Sequence, residues 1–169
     1  MRPVFVILFS ILLFQVFSQD TDHNHEDHDH KHDHFHNNEI GISLSPTVYL
    51  YEGEVSLGAH AHYIHRFGKS RFGGGLGFEV VFDEHKHRTI STVFQWSPTY
   101  TTHICIAPGV VMAEHEHMGN LEKDYHWACH FEVIREFHVG PLDLGPFFEW
   151  ALEEKDHHIG IGIHVGIPF

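Results

Sequence analysis

The chain ends HHIGIGIHVGIPF, residues 157–169, and this stretch narrows the available folds more than any other. Isoleucine and valine alternate with glycine and histidine, and the final residue is Phe169. A repeat of two is the repeat of a β-strand, whose successive side chains point to opposite faces. One face of this strand is oily and the other has almost no bulk. Such a strand needs an apolar environment on one side and a crowded one on the other.

The same repeat recurs through the chain from Glu39. Ile40, Ile42, Leu44, Pro46, Val48 and Leu50 oppose Gly41, Ser43, Ser45, Thr47 and Tyr49. Val55, Leu57, Ala59, Ala61, Tyr63 and Phe67 oppose Ser56, Gly58, His60, His62 and Arg66. Phe72, Leu76, Phe78, Val80 and Phe82 oppose Gly73, Gly75, Gly77 and Glu79, and Ile90, Thr92, Phe94 and Trp96 oppose Ser91, Val93 and Gln95. Ile104, Ile106, Pro108, Val110 and Met112 then face away from Cys105, Ala107 and Gly109. Tyr125, Trp127, Cys129, Phe131, Val133 and Phe137 face away from His126, Ala128, His130, Glu132 and Glu136. Leu142, Leu144, Pro146, Phe148, Trp150 and Leu152 face away from Asp143, Gly145 and Glu149. With the last segment this makes eight strands. Cys105 and Cys129 fall on opposite faces, so both are expected to be free thiols.

A soluble barrel would turn the apolar face inward and show water a charged surface. Here the other face is glycine, alanine, serine and histidine with scattered glutamates, which suits a narrow lumen better than a solvated exterior. Eight strands enclose a space just wide enough for side chains to fill. Segments of about ten residues match a tilted membrane crossing, and closure leaves no unpaired backbone in hydrocarbon. The expected fold is all-β: an eight-stranded antiparallel up-and-down transmembrane β-barrel over residues 39–169. Its aromatics form two bands, one with Phe82, Tyr125, Trp127 and Trp150, the other with Phe67, Phe72, Trp96, Phe137 and Phe169, as interfacial girdles require.

Ahead of the barrel lie two other segments. Residues 1–18 carry one arginine, an apolar run over 4–14 and a small residue at Ser18, the pattern of a secretory signal peptide. Residues 19–38 are a disordered tail by composition, with His23, His25, His28, His30, His32, His34 and His36 set mostly among carboxylates. Imidazole is the commonest side-chain ligand of transition metals, and a flexible chain gathers several around one ion without a preformed pocket. A solvated, pH-sensitive spacer is the plainer alternative. The formal charge of −13 argues against nucleic acid as a partner.

Residues 39–169 resemble the small eight-stranded outer-membrane β-barrels of Gram-negative bacteria, through the eight alternating segments, the export signal and the terminal strand closing on Phe169. The resemblance implies outer-membrane lipid as the surroundings and recognition of the C-terminal aromatic by the barrel-insertion machinery. It also implies that both chain ends, and with them the tail, face the periplasm. The links at 68–71, 98–102 and 138–141 then lie inside. The others, at 51–54, 83–88, 114–124 and 153–158, lie outside.

Three of those outer links carry histidine pairs: His85 with His87, His115 with His117, and His157 with His158. In His-X-His on extended backbone both rings take one face, roughly 7 Å apart; the contiguous pair needs a bend. These six join the tail histidines as candidate ligands for a divalent transition metal, zinc first, with nickel, copper or cobalt as alternatives. Inside the lumen, strand counting sets His60 against Glu79 and brings His130 near Glu149 and Glu132. His62, Arg66, His126 and His164 complete an expected polar network, since buried carboxylates must be neutralised or hydrogen-bonded. No Gly-X-Ser-X-Gly or His-Glu-X-X-His motif is present, so an enzyme is not expected. The expected function is metal binding at an outer membrane. The alternatives are a structural or adhesive barrel, or a narrow ion pore, whose histidines respond to pH.

Overall fold

Residues that alternate this strictly leave the backbone one way to satisfy its polar groups, which is to pair with neighbours on both sides. In the computed structural model the backbone is described for residues 36–51, 53–117, 120–154 and 156–169, with side chains at all of these except 115–117, 120 and 121. The signal peptide and all of the tail up to residue 35 lie outside the described residues. Among the described residues there are nine strands: β1 (Asn38–Tyr49), β2 (Val55–Arg66), β3 (Phe72–Phe82), β4 (Arg88–Thr99), β5 (Thr102–His117), β6 (Asn120–Arg135), β7 (Phe137–Val139), β8 (Leu142–Glu153) and β9 (His157–Pro168). All neighbouring pairs are antiparallel.

The expected eight strands are the eight walls of the barrel, because β6 and β7 are one wall interrupted at Glu136. Both pair with β8, and β1 pairs with both β2 and β9, so the sheet closes on itself. At the break the Glu136 N–H donates instead to the Thr101 carbonyl at 2.8 Å. A register shift between β4 and β5 falls at Trp96–Thr99, where Pro98 has no N–H to give the ladder. Gly68 (φ 59°) and Gly140 (φ 65°) make two tight turns in the left-handed region, where glycine has no steric penalty. The up-and-down topology puts the start of β1, the end of β9 and these turns at one end of the barrel, here called the turn end. The four links after β1, β3, β5 and β8 form the loop end.

Two links at the loop end are shorter than the sequence implied. Residues 114–124 are for the most part a continued hairpin, with β5 running to His117 and β6 starting at Asn120. The cause lies in the residues: MAEHEH keeps the period of two, and Glu114 pairs with Lys123 across the strands, their charged ends 3.9 Å apart. Residues 153–158 are split likewise. Glu153 ends β8, His157 opens β9, and the Glu153 N–H donates to the Asp156 carbonyl at 3.0 Å.

Burial follows the alternation, and it is inverted relative to a water-soluble protein. Ile163 is 62% exposed and Leu76 63%, while His164 and His158 are wholly buried. Every residue of both expected aromatic bands is exposed. An apolar exterior of this extent is built for hydrocarbon rather than water. Among the described residues no helix is long and apolar enough to cross a membrane; the crossing is by strands. Cys105 points into the bore and Cys129 outward, and both are free.

Candidate functional site in the bore

Glycine and alanine on the inner face leave volume, and histidine and glutamate fill it. Among the described residues seven carboxylates are buried in the bore: Glu39, Glu79, Glu132, Glu136, Asp143, Glu149 and Glu153. So are seven imidazoles: His60, His62, His103, His126, His130, His158 and His164. The glycines are what admit the rings. A Cβ at Gly41 would collide with His62 and His164, and one at Gly77 would come within 2.9 Å of His60 Nε2.

Near the turn end Glu39 is the hub. Arg66 Nη2 donates to its Oε2 at 3.0 Å, and His62 and His164 each bring Nε2 to 3.6 Å from Oε1. The two rings stack at 5.1 Å. His164 also reaches Glu136 at 3.1 Å and Ser43 Oγ at 2.9 Å. His103 lies 2.9 Å from Glu136 through Nε2 and 2.8 Å from both Gln95 and Ser97 through Nδ1. Asp143 pairs with His138 beside it.

In the middle and loop-end parts a second group forms. His60 Nδ1 is 3.2 Å from Glu132. His130 Nδ1 is shared between Glu149 at 2.6 Å and Glu79 at 3.4 Å. His158 joins Glu79 at 3.6 Å through Nε2 and Glu153 at 3.2 Å through Nδ1, and Glu153 also reaches His126 at 3.1 Å. The expected pairing of His60 with Glu79 is present as a strand register, and His130 does meet Glu149.

At the loop-end mouth Asp83 takes hydrogen bonds from the Tyr49 hydroxyl (3.1 Å) and the His87 backbone N–H (3.3 Å), and it pairs with the His87 ring. The His87 contact holds the Asp83 carboxyl below its ordinary range despite partial burial, and the same contact raises the His87 imidazole above 6.5. Tyr49 also sets its ring edge against His158, 5.2 Å between centroids, so the rim and the bore are in contact.

The sequence-derived candidates are therefore sorted by position. His60, His62, Glu79, His126, His130, Glu132, Glu149 and His164 are all buried in the bore, with Arg66 half-buried at its turn end. His85 and His87 lie at the loop end, ring centroids 5.9 Å apart. The side chains of His115 and His117, and His23, His25, His28, His30, His32 and His34, lie outside the described residues. His36 is exposed. His157 and His158 do not form a rim pair. They open β9, where adjacent residues point to opposite faces, so His157 packs by Tyr51 outside and His158 enters the bore. Sequence reasoning also left out Glu39, His103, Glu136, Asp143 and Glu153 as members of the network. Each stands in the inward phase of its strand, and that phase was the signal available for them.

Four sets of these side chains bring ligand atoms within 4.8 Å of one another: Glu79 with His130, Glu149 and His158; Glu39 with His62 and His164; His60 with His62 and Glu132; and Glu39 with Glu136 and Asp143.

No protein-family model matches the sequence, and no curated protein does either. Solved structures do match. Ail, the attachment invasion locus protein of Yersinia pestis, superposes with a TM-score of 0.56 at 12% identity, covering 78% of this chain and 97% of Ail. The N-terminal β-barrel domain of Pseudomonas aeruginosa OprF gives 0.54 at 11% identity, over 79% and 98% of the two chains. Neisserial surface protein A gives 0.52 at 7%, over 78% and 96%. The fold is that of the small outer-membrane β-barrels. Identities this low carry the architecture and nothing of the chemistry, and a shared fold hosts unrelated functions. What this outer-membrane-type barrel does must be argued from its own bore, rim and tail.

Proposed function

We propose that the protein is a non-enzymatic barrel of a Gram-negative outer membrane that binds divalent transition-metal ions, zinc first, with nickel, copper or cobalt as alternatives. The histidine-rich tail ahead of β1 works on the periplasmic side and the rim histidines on the outer side, concentrating or buffering metal in support of uptake or tolerance. One observation carries this reading: imidazoles are set among carboxylates in three separate parts of the chain. They alternate in the tail, they meet at Asp83, His85 and His87 on the rim, and they fill the bore seven with seven. Imidazole with carboxylate is a donor set that zinc accepts readily.

Titration calorimetry of the mature protein is expected to show several zinc equivalents, most of them lost when residues 20–37 are deleted. An unchanged stoichiometry after the deletion refutes the assignment to the tail. A structural or adhesive barrel whose histidines answer to pH is favoured instead if partner binding follows pH without any dependence on metal. The buried imidazole–carboxylate contacts are the observation behind that second reading.

A further inference from the structure

One cluster in the bore is assembled differently from the rest. Glu79 on β3, His130 on β6, Glu149 on β8 and His158 on β9 come from four walls of the barrel, and all four are buried. Strand β3 lies across the bore from β8, so the four side chains converge from opposing sides. We propose that Glu79, His130, Glu149 and His158 form an occluded site for one zinc-type divalent ion, held in the loop-end half of the bore.

The donor set is two imidazoles and two carboxylates, a four-ligand combination suited to zinc. Four donors at 2.0–2.2 Å from zinc stand roughly 3.3 Å apart in a tetrahedron. Three of the six separations straddle that value, 2.6 Å for His130–Glu149, 3.4 Å for His130–Glu79 and 3.6 Å for His158–Glu79, and all six lie within 4.8 Å. Small rotations of the side chains close the shell. Room for them exists because both strand neighbours of His130 are alanines, Ala107 and Ala151.

Charge alone does not separate the ion from two protons. Two imidazolium rings neutralise Glu79 and Glu149 as completely as one divalent cation does. Hydrogen bonding separates them. Both oxygens of Glu79 and both ring nitrogens of His158 are buried and have no hydrogen-bond partner among the described residues. Buried atoms of this kind are costly unless something else serves them. Protons on the two rings leave Nε2 of His158 3.6 Å from an oxygen of Glu79, too far for a hydrogen bond, whereas an ion at the convergence point takes both of these atoms as donors, with Nδ1 of His130 and an oxygen of Glu149. A further contact fits: His158 turns Nε2 toward Glu79, and its Nδ1 lies 3.2 Å from Glu153, within reach of a hydrogen bond once the ring rotates onto an ion. A carboxylate behind a ligating histidine fixes its tautomer and raises its basicity, as metal sites commonly require.

This inference deepens the metal-binding reading but does not depend on the tail. The full mature protein is refolded into detergent with zinc and washed with a chelator, and the retained metal is measured by mass spectrometry. Expected is one retained equivalent, with X-ray absorption showing nitrogen and oxygen neighbours of imidazole and carboxylate type. Glu149→Gln and His158→Gln barrels, checked for closure by heat-modifiable gel mobility, are expected to retain less by more than about tenfold. Wild-type protein that retains no zinc overturns the proposal. So do closed variants that retain as much as wild type, or a spectrum showing sulfur ligation. Should either variant fail to close, the wild-type spectrum decides. Zinc held loosely by the tail is stripped in the wash, so the calorimetry of the deletion and the retained equivalent fail independently.

Discussion

Asp83 and His87 show what a single pair does at the mouth of this barrel. Asp83 has its carboxyl lowered and His87 its imidazole raised, each by contact with the other. A lowered acid contributes stability above its ordinary value near 3.8 and loses it as pH falls through the folded value. A raised histidine contributes fully below 6.5 and loses it as pH rises through the folded value. The pair is therefore worth most between these limits, on the order of 1 kcal/mol for partly exposed partners. Denaturant unfolding in lipid bilayers between pH 6 and 9 is expected to show stability falling with pH in the wild type. In Asp83→Asn that alkaline slope should flatten. A variant with the wild-type slope would show that the contact does not govern the titration of His87.

At the scale of the strand, the two faces of β9 carry opposite demands. Ile163 sits between Leu44 of β1 and Pro146 of β8 and is 62% exposed to the surroundings of the barrel. His164, the next residue, is wholly buried. If the exterior meets hydrocarbon, Ile163→Arg should cost about 2–4 kcal/mol in a bilayer, the penalty for arginine near the midplane of a lipid-facing strand. A cost under about 1 kcal/mol, measured by reversible unfolding in phospholipid vesicles, would place Ile163 at an interface or in water instead. The phase that sets this contrast was readable before any coordinates, because a repeat of two needs no partner to define it. His60 opposite Glu79 and His130 near Glu149 came from counting back from tight turns. Where no turn anchors the count, composition misleads: the acidic residues ahead of His158, and those in 114–124, resemble loop sequence, although β9 opens at His157 and β5 runs to His117. The apolar residues inside the bore were also missed. Ile64, Ile134 and Phe147 stand in the polar phase, and alternation alone gives no reason to expect them there.

Those three residues matter most for the molecule as a whole. With Val93, Cys105 and Ala107 they form one buried apolar cluster inside the barrel, contributed by β2, β4, β5, β6 and β8. A polar bore of seven carboxylates and seven imidazoles suggests a passage for ions when viewed by composition alone. Packing argues otherwise. An eight-stranded lumen is filled by its own side chains, and here part of the filling is isoleucine and phenylalanine, which offer a hydrated ion no ligand and would have to part for it to pass. Moving an ion past these side chains forfeits hydration that they do not replace. Planar-bilayer recordings of the purified barrel under a zinc gradient are therefore expected to show no steady or stepwise current. Ile64→Gly with Phe147→Gly, which hollows the cluster from two walls, is the variant in which current should first appear if the apolar cluster is the barrier. Current in the wild type at the level of this variant would mean that the cluster opens on its own, and that the buried carboxylates and imidazoles serve a moving ion rather than a held one.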